Sequence, residues 1–376
     1  MSGPSDRPGP VGKTPDEGSV GELPQPVMDQ GVASPVGSRG RRRKGGGKRG
    51  GGRGEQAMVP DAEFTSYYGR PVVRASPWEA DIPLYLFLGG VASTSSLLAA
   101  GCDLTGRTEL CRASRITATV TIGVSFAALV HDLGRPARFH HMLRVAKYTS
   151  PMSVGTWLLS AYAPFVGIAV ASEARGLLPA GLRDGVVGRV LPGAGRAAGV
   201  VAALVAPTVA SYTAVLLADT ATPSWHEAYR QLPFVFVGSA AAAGGGMGLV
   251  NGPLAQTGPA QRMAVGGAVL ELVMSHRMEA AMGLAAEPLH QGRAGSYYRA
   301  AKALTAAGAV LAATVGRRHR AAAVLAGATL VAGSFCTRFA VFHAGQQSAK
   351  DPRYTIRPQR QRVDEGRPVR FEEPGT

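Results

Sequence analysis

Four short stretches set side chains that could carry a proton or a buried charge within or beside the apolar segments of this chain. "VHDLGRPARFHHMLR" at 130–144 sets Asp132 beside His131, then adds Arg135, Arg138, His140, His141 and Arg144. "SYTAVLLADTATPSWHEAYR" at 211–230 contributes Tyr212, Asp219 and His226. "ELVMSHRMEAA" at 271–281 holds Glu271, His276, Arg277 and Glu279, and "SFCTRFAVFH" at 334–343 adds Arg338. Carboxylates and imidazoles exchange protons near neutrality once burial and neighbouring charge have tuned them. For Asp132, desolvation and a nearby Arg act in opposite directions, and Arg135 and Arg138 stand where they could set that balance. A simpler role for Arg138 is to reach out to lipid headgroups, and for His140 and His141 to be solvated.

The elements that must position these groups are apolar helices. The chain has 376 residues, 45% apolar and 17% charged, against about 25% charged in a soluble domain. A membrane-crossing helix needs about 20 mostly apolar residues. Eight segments qualify as candidates: 82–102, 116–131, 153–173, 198–218, 232–250, 264–285, 301–316 and 321–342, of which 301–316 is short and Ala-rich. A soluble helical bundle would show a polar face on each helix, and 82–102, 198–218 and 232–250 have none. The fold class is therefore all-α, a polytopic membrane bundle of about eight helices over 77–345. A Gly/Pro/Arg-rich arm at 1–76 is expected to be disordered, and 346–376 to be a polar tail. Small-residue runs such as "GSAAAAGGGMG" at 238–248 fit close helix packing in lipid, or a flat wall beside a ligand.

Eight spans put both termini on one side, called the tail side here. The opening "MSGPSDRPGPVGKTPDEG" has no apolar core of a signal peptide, so 82–102 is expected to start insertion. Residues 39–53 hold eight basic side chains and no acid. Without an aromatic or folded reader the arm implies no nucleic-acid partner; anionic headgroups or a topology signal account for it. The opposite loops also carry Arg, among them Arg112, Arg115, Arg189 and Arg196. Tails in the cytoplasm are expected because a long polar arm is hard to translocate. Cys102, Cys111 and Cys336 make no zinc or iron–sulfur spacing, although Cys102 and Cys111 flank one loop and could pair.

An ionic group at the centre of a bilayer costs about 2.5–3.5 kcal/mol, so Glu271, His276, Arg277 and Glu279 should not face lipid. Spacing sets His276 near Glu279 and Glu271 near the same face as Glu279. Arg338 is expected to pair with one of the two glutamates. The group would be either an ion pair that holds the bundle or a proton path. No two histidines match in depth as haem ligands require.

The blocks "DLGRPARFHHMLR…SPMSVGTWLLS", "YTAVLLADTATPSWHEA" and "RFAVFHAG…SAKDPRYT" resemble the NrfD/PsrC-type membrane subunit of polysulfide-reductase-like molybdoenzymes, over roughly 77–357. The resemblance implies eight helices, no haem or iron–sulfur cluster in this chain, and a quinone, menaquinone being the expected type, at one membrane surface. It implies a four-cluster ferredoxin-type iron–sulfur partner that contacts a molybdopterin catalytic subunit, in the cell membrane. By the same resemblance the quinone pocket lies among the tail-side ends of the first, second and fourth helices. Asp132 matches its acidic position, and Tyr212 matches the Tyr of a "YTG"-like stretch that reads "YTA" here. Trp78, Asp81, Tyr85, Arg135 and His140 would complete the quinone contacts. Two other classes compete: a small-molecule or ion transporter, supported by Glu271, Glu279 and Arg338, and a structural anchor with no quinone chemistry.

Overall fold

The computed structural model describes residues 71–133 and 135–365; the basic arm at 39–53 lies outside them. The described residues contain no strand. Eight helices form the body: α1 (Asp81–Leu104), α2 (Thr108–Asp132), α3 (Pro151–Glu173), α4 (Val186–Ala218), α5 (Leu232–Asn251), α6 (Gly258–Met282), α7 (Gly292–Ala313) and α8 (Arg320–Lys350). All but α6 and α7 are long and apolar enough to cross a membrane. Those two carry the Glu, Arg, His and Lys side chains that lower an average hydropathy, yet at 25 and 22 residues they match the length of their neighbours.

The chain runs up and down, so the ends of α1 to α8 alternate between the tail side and the opposite side. α1 packs with α2 and α4, α3 with α4, α5 with α6 and α8, and α7 with α8; α1 against α5 is the main seam between the two halves. The glycine-rich run of α5 explains how its neighbours come so close. A Cβ at Gly238 would fall 2.6 Å from the main-chain nitrogen of Glu271 in α6, and one at Gly246 2.8 Å from the carbonyl of Gly327 in α8. Gly244 meets Thr94 of α1. Each small residue thus serves a different neighbour, the packing role that lipid-embedded helices assign to glycine. Polar cross-links add to it: Thr94 donates to the Ala240 carbonyl at 2.8 Å, and Ser239 to Ser334 at 2.9 Å.

Several boundaries differ from the apolar segments. α2 begins at Thr108 and α4 at Val186, so Arg112, Arg115, Arg189 and Arg196 are helical and not loop residues. α7 begins at Gly292, nine residues before the segment predicted there. α8 continues to Lys350, and a further helix, α9 (Arg353–Asp364), follows. The expected polar tail at 346–376 is therefore helical through Asp364. Tyr354 is its buried anchor, while Arg353 bonds Glu287 at 3.2 Å and Arg362 bonds Glu227 at 3.0 Å. Both thiols that could have paired, Cys102 and Cys111, are free and buried.

Candidate functional site

At the tail side, the start of α1 meets the end of α2. His131 Nδ1 lies 2.7 Å from Asp81 Oδ2, with the imidazole mostly in solvent. Asp132, next in sequence, points about 100° further round the helix. It is half-buried, and the main chain of Glu79 faces its carboxylate. The site is thus an inner carboxylate, Asp132, beside an outer His–Asp pair that reaches water. Arg135 and His140 sit apart from it. Both are exposed, His140 within a 3-10 helix (Pro136–Leu143) where its ring lies 4.3 Å from that of His141.

Tyr212 lies in the tail-side half of α4, 8% exposed. α3 passes flat against its ring at Gly155, where a Cβ would come within 2.7 Å of the phenolic oxygen. The "SPMSVGTW" glycine is therefore the residue that lets α3 close on Tyr212. The Tyr212 hydroxyl makes no hydrogen bond to another described residue. Tyr85, 2% exposed, shares its apolar core with Tyr212, and half-buried Trp78 packs against the same core. Trp78 stacks on the fully buried Trp225 at 5.9 Å, and Trp225 in turn contacts Phe342 at 5.9 Å and donates to the Val341 carbonyl at 2.7 Å. Gln346 of α8 donates to the Ser76 carbonyl at 2.9 Å. The segment before α1 is thus pinned by α8, which fixes where Trp78 and Asp81 enter. Of the seven residues expected at the quinone, the structure gathers Trp78, Asp81, Tyr85, Asp132 and Tyr212 at this end of the first half, and leaves Arg135 and His140 on the exposed turn.

The buried charges occupy the other half. Glu271, 3% exposed, accepts from Thr337 of α8 at 2.5 Å and from Thr305 of α7 at 3.3 Å. Arg338 is fully buried and makes no ion pair with either glutamate. Its guanidinium donates to the Phe236 carbonyl at 2.8 Å and lies 3.9 Å from the Phe236 ring centroid, while Nε and Nη1 have no hydrogen-bond partner among the described residues. Neighbours on a helix diverge by about 100°, so Thr337 faces α6 and α7 while Arg338 faces α5 and α1. The expected Arg338–Glu pair is replaced by a Thr337–Glu271 bond with the cation nearby.

Glu279 turns to α7, with Lys302 at 2.5 Å, the Tyr298 hydroxyl at 2.7 Å and His290 at 3.1 Å. Its expected neighbour His276 is exposed, as is Arg277: three residues apart, His276 and Glu279 differ by about 60° round α6, enough to leave His276 outside the face that packs on α7. Arg277 lies close enough to the end of α6 for its long side chain to reach the interface. The turn that returns α7 on α6 carries Gly283 and Gly292, both at positive φ (52° and 50°). Lys302, Tyr298 and His290 were invisible to spacing arguments, since only this turn brings them beside Glu279.

Sequence reasoning also missed a cluster at the opposite end. Arg115, 7% exposed, bonds Glu173 at 2.5 Å and Asp103 at 3.4 Å, with Arg196 3.6 Å from the same aspartate. It ties the far ends of α1 to α4. Near α9, a pocket of about 450 Å³ is lined by Asp219, His226, Glu227, Tyr354 and Arg362 among others. Burial pushes the Tyr354 phenol above its ordinary range, against the opposing hydrogen bond from Arg353.

Residues 72–349 match the family described as polysulphide reductase, NrfD. The C subunit of the polysulfide reductase of Wolinella succinogenes is 30% identical over 95 residues, a stretch that makes up 24% of the present sequence and 30% of that protein. The family match takes in α1 to α8 almost entire, including every buried charge and both tail-side carboxylates described above. This multi-pass membrane protein belongs to the NrfD, polysulphide reductase-like, family.

Proposed function

We propose that this chain is the quinone-binding membrane anchor of an oxidoreductase complex. It would exchange electrons between the membrane quinone pool, menaquinone by preference, and an iron–sulfur subunit of the four-cluster ferredoxin type, which contacts a molybdopterin catalytic subunit. The observation that carries the reading is the tail-side end of α1, α2 and α4 in a member of this family. There a buried phenol without a described hydrogen-bond partner shares an apolar core with Tyr85 and Trp78, and a half-buried carboxylate stands at the tail-side end of α2. A phenol of this kind is free to bond a quinone oxygen, so the residues present fit the group. A quinol gives up two electrons and two protons when oxidised. Tyr212 would orient the head group, with its ring held by Gly155, and Trp78 and Tyr85 would supply apolar walls. Asp132 would hold a proton at its carboxylate, and the Asp81–His131 pair would carry it to water. Tails in the cytoplasm and residence in the cell membrane complete the proposal.

A second reading concerns the other half. A line of polar groups leads from exposed His290 through Glu279 and Tyr298, then Ser275, towards Glu271 and Thr337. The His290–Glu279 and Tyr298–Glu279 contacts suit proton transfer as well as structural cohesion, and we read the buried set as a proton branch of the same machine. A transporter would need no electron partner. The test is to purify the protein with its partners and compare Asp132→Asn and Tyr212→Phe with the parent complex, monitoring quinol-coupled turnover and partner recovery. Loss of quinol coupling in an assembled complex supports the anchor reading, whereas full coupling in both variants makes the protein a structural anchor only.

A further inference from the structure

The turn between α2 and α3 holds charges that no other part of the described molecule answers. From Leu133 to Ser172 the sequence has no Asp or Glu, yet Arg135, Arg138, Arg144 and Lys147 fall within it. None of the four forms an ion pair with a described carboxylate, and all are exposed. The Arg144 guanidinium touches His141 at 3.4 Å, another potential cation. Interleaved with them are side chains that water does not favour: Phe139 (50% exposed), Val145 (65%) and Tyr148 (91%), with Met152 and Trp157 on the adjoining turns of α3.

The backbone here is not loose. The Val145 carbonyl accepts from Ser153 Oγ at 3.0 Å and from Trp157 Nε1 at 3.3 Å, and the Lys147 amide donates to Ser153 Oγ at 3.0 Å. These bonds lay residues 145–147 along the first turns of α3 and leave a crevice of about 270 Å³. Met142, Val145, Met152 and Thr156 line it, with Lys147, Ser150 and Ser153 at its polar side. α3 is the least buried of the apolar helices, so the crevice opens beside a surface that faces acyl chains.

From this juxtaposition we infer that the α2–α3 turn and the start of α3 form a binding site for an anionic phospholipid. Its phosphate would be held by Lys147 and Arg144 and its upper acyl chain by Met142, Val145 and Met152. Exposed cations with interleaved aromatic and aliphatic side chains, at the level where spans end, match the chemistry of a charged headgroup over hydrocarbon. An acidic protein surface would satisfy the cations but leave the apolar crevice and Trp157 unexplained. The inference is independent of the quinone reading, and its test uses no turnover.

The full-length protein, purified in mild detergent, is titrated with phosphatidylglycerol and separately with phosphatidylcholine, and bound lipid is counted by native mass spectrometry. The parent should prefer phosphatidylglycerol. Arg144→Gln with Lys147→Gln should weaken that binding about twenty-fivefold, the product of two headgroup contacts of about fivefold each. Arg144→Lys with Lys147→Arg should keep it, and Arg317→Gln with Arg318→Gln on the opposite side should leave it unchanged. Equal binding of the two lipids, or unchanged affinity in the glutamine variant, overturns the proposal. So does a glutamine variant that keeps its lipid but no longer recovers a partner subunit, which would make the turn a protein-docking face. If the glutamine variant misfolds, the charge-conserving pair and the choice of lipid still decide the matter.

Discussion

Asp132 and Tyr212 differ in what their neighbours let them do. The carboxylate stands at the edge of the membrane body beside an exposed His–Asp pair, whereas the phenol is enclosed by Gly155 and the core around Tyr85. Asp132→Asn removes a proton acceptor and keeps the shape, so quinol-coupled turnover should fall about a hundredfold while partner recovery is unchanged. Tyr212→Phe removes one hydrogen bond and should cost about three- to tenfold. Steady-state assays with quinol, beside an artificial donor that bypasses this subunit, check both. In the other half, Glu271→Leu strands the Thr305 hydroxyl, leaves Thr337 only its bond to the Gly333 carbonyl, and leaves Arg338 without a nearby counter-charge. It should destabilise the protein by about 3 kcal/mol, read as an earlier unfolding midpoint in detergent. Glu271→Gln keeps one acceptor oxygen and turns an amide donor to the other threonine hydroxyl, so it should unfold close to the parent, yet lose proton movement coupled to turnover in vesicles if the polar line conducts. Residue types alone made Asp132, Tyr212, Glu271 and Glu279 legible in the sequence. Their partners were not, because Lys302 and His290 reach Glu279 only through a turn built on two glycines at positive φ.

The helices were legible from apolar runs alone, and their ends were not, for one physical reason. Hydropathy counts an Arg as the end of a span, but Arg115 is buried within α2 because Glu173 and Asp103 neutralise it. The ion cluster lets α2 start at Thr108, eight residues before the predicted segment. Breaking a buried pair from one side costs about 3–5 kcal/mol, so Arg115→Leu should be among the most damaging single changes in the first half. A thermal unfolding series in detergent with Arg115→Leu, Glu173→Gln and the double variant checks it, with the double less harmful than the sum. At the other end, Trp225 links Trp78 to α8 through two ring contacts and a hydrogen bond. Trp225→Ala should release the segment before α1, seen as faster hydrogen exchange over residues 71–80 and a weaker hold on quinone. The exposed Val145–Tyr148 stretch carries no helix or strand signal, and its value lies in what it presents to lipid.

Across the whole molecule the chemistry divides by half and by side. The α1–α4 half holds the tail-side carboxylates and phenol, the α5–α8 half holds Glu271, Glu279 and Arg338, and α1 against α5 joins them. No spacing rule predicts that seam, since it depends on which glycine of "GSAAAAGGGMG" faces which neighbour. The family resemblance covers the region from 77 onwards and names the class; the structure adds α9, which docks on the tail side and would stand between the bundle and any partner there. Quinone is proposed to bind at the tail-side end of α1, α2 and α4. The most direct measurement is the quinone content of the protein purified with its partners, parent against Tyr212→Phe and Asp132→Asn, by extraction and chromatography. A quinone site there should give about one quinone per parent molecule and a clear loss in Tyr212→Phe, with partners retained. A parent preparation that is fully assembled yet carries no quinone, or a Tyr212→Phe variant that binds as much as the parent, would contradict it.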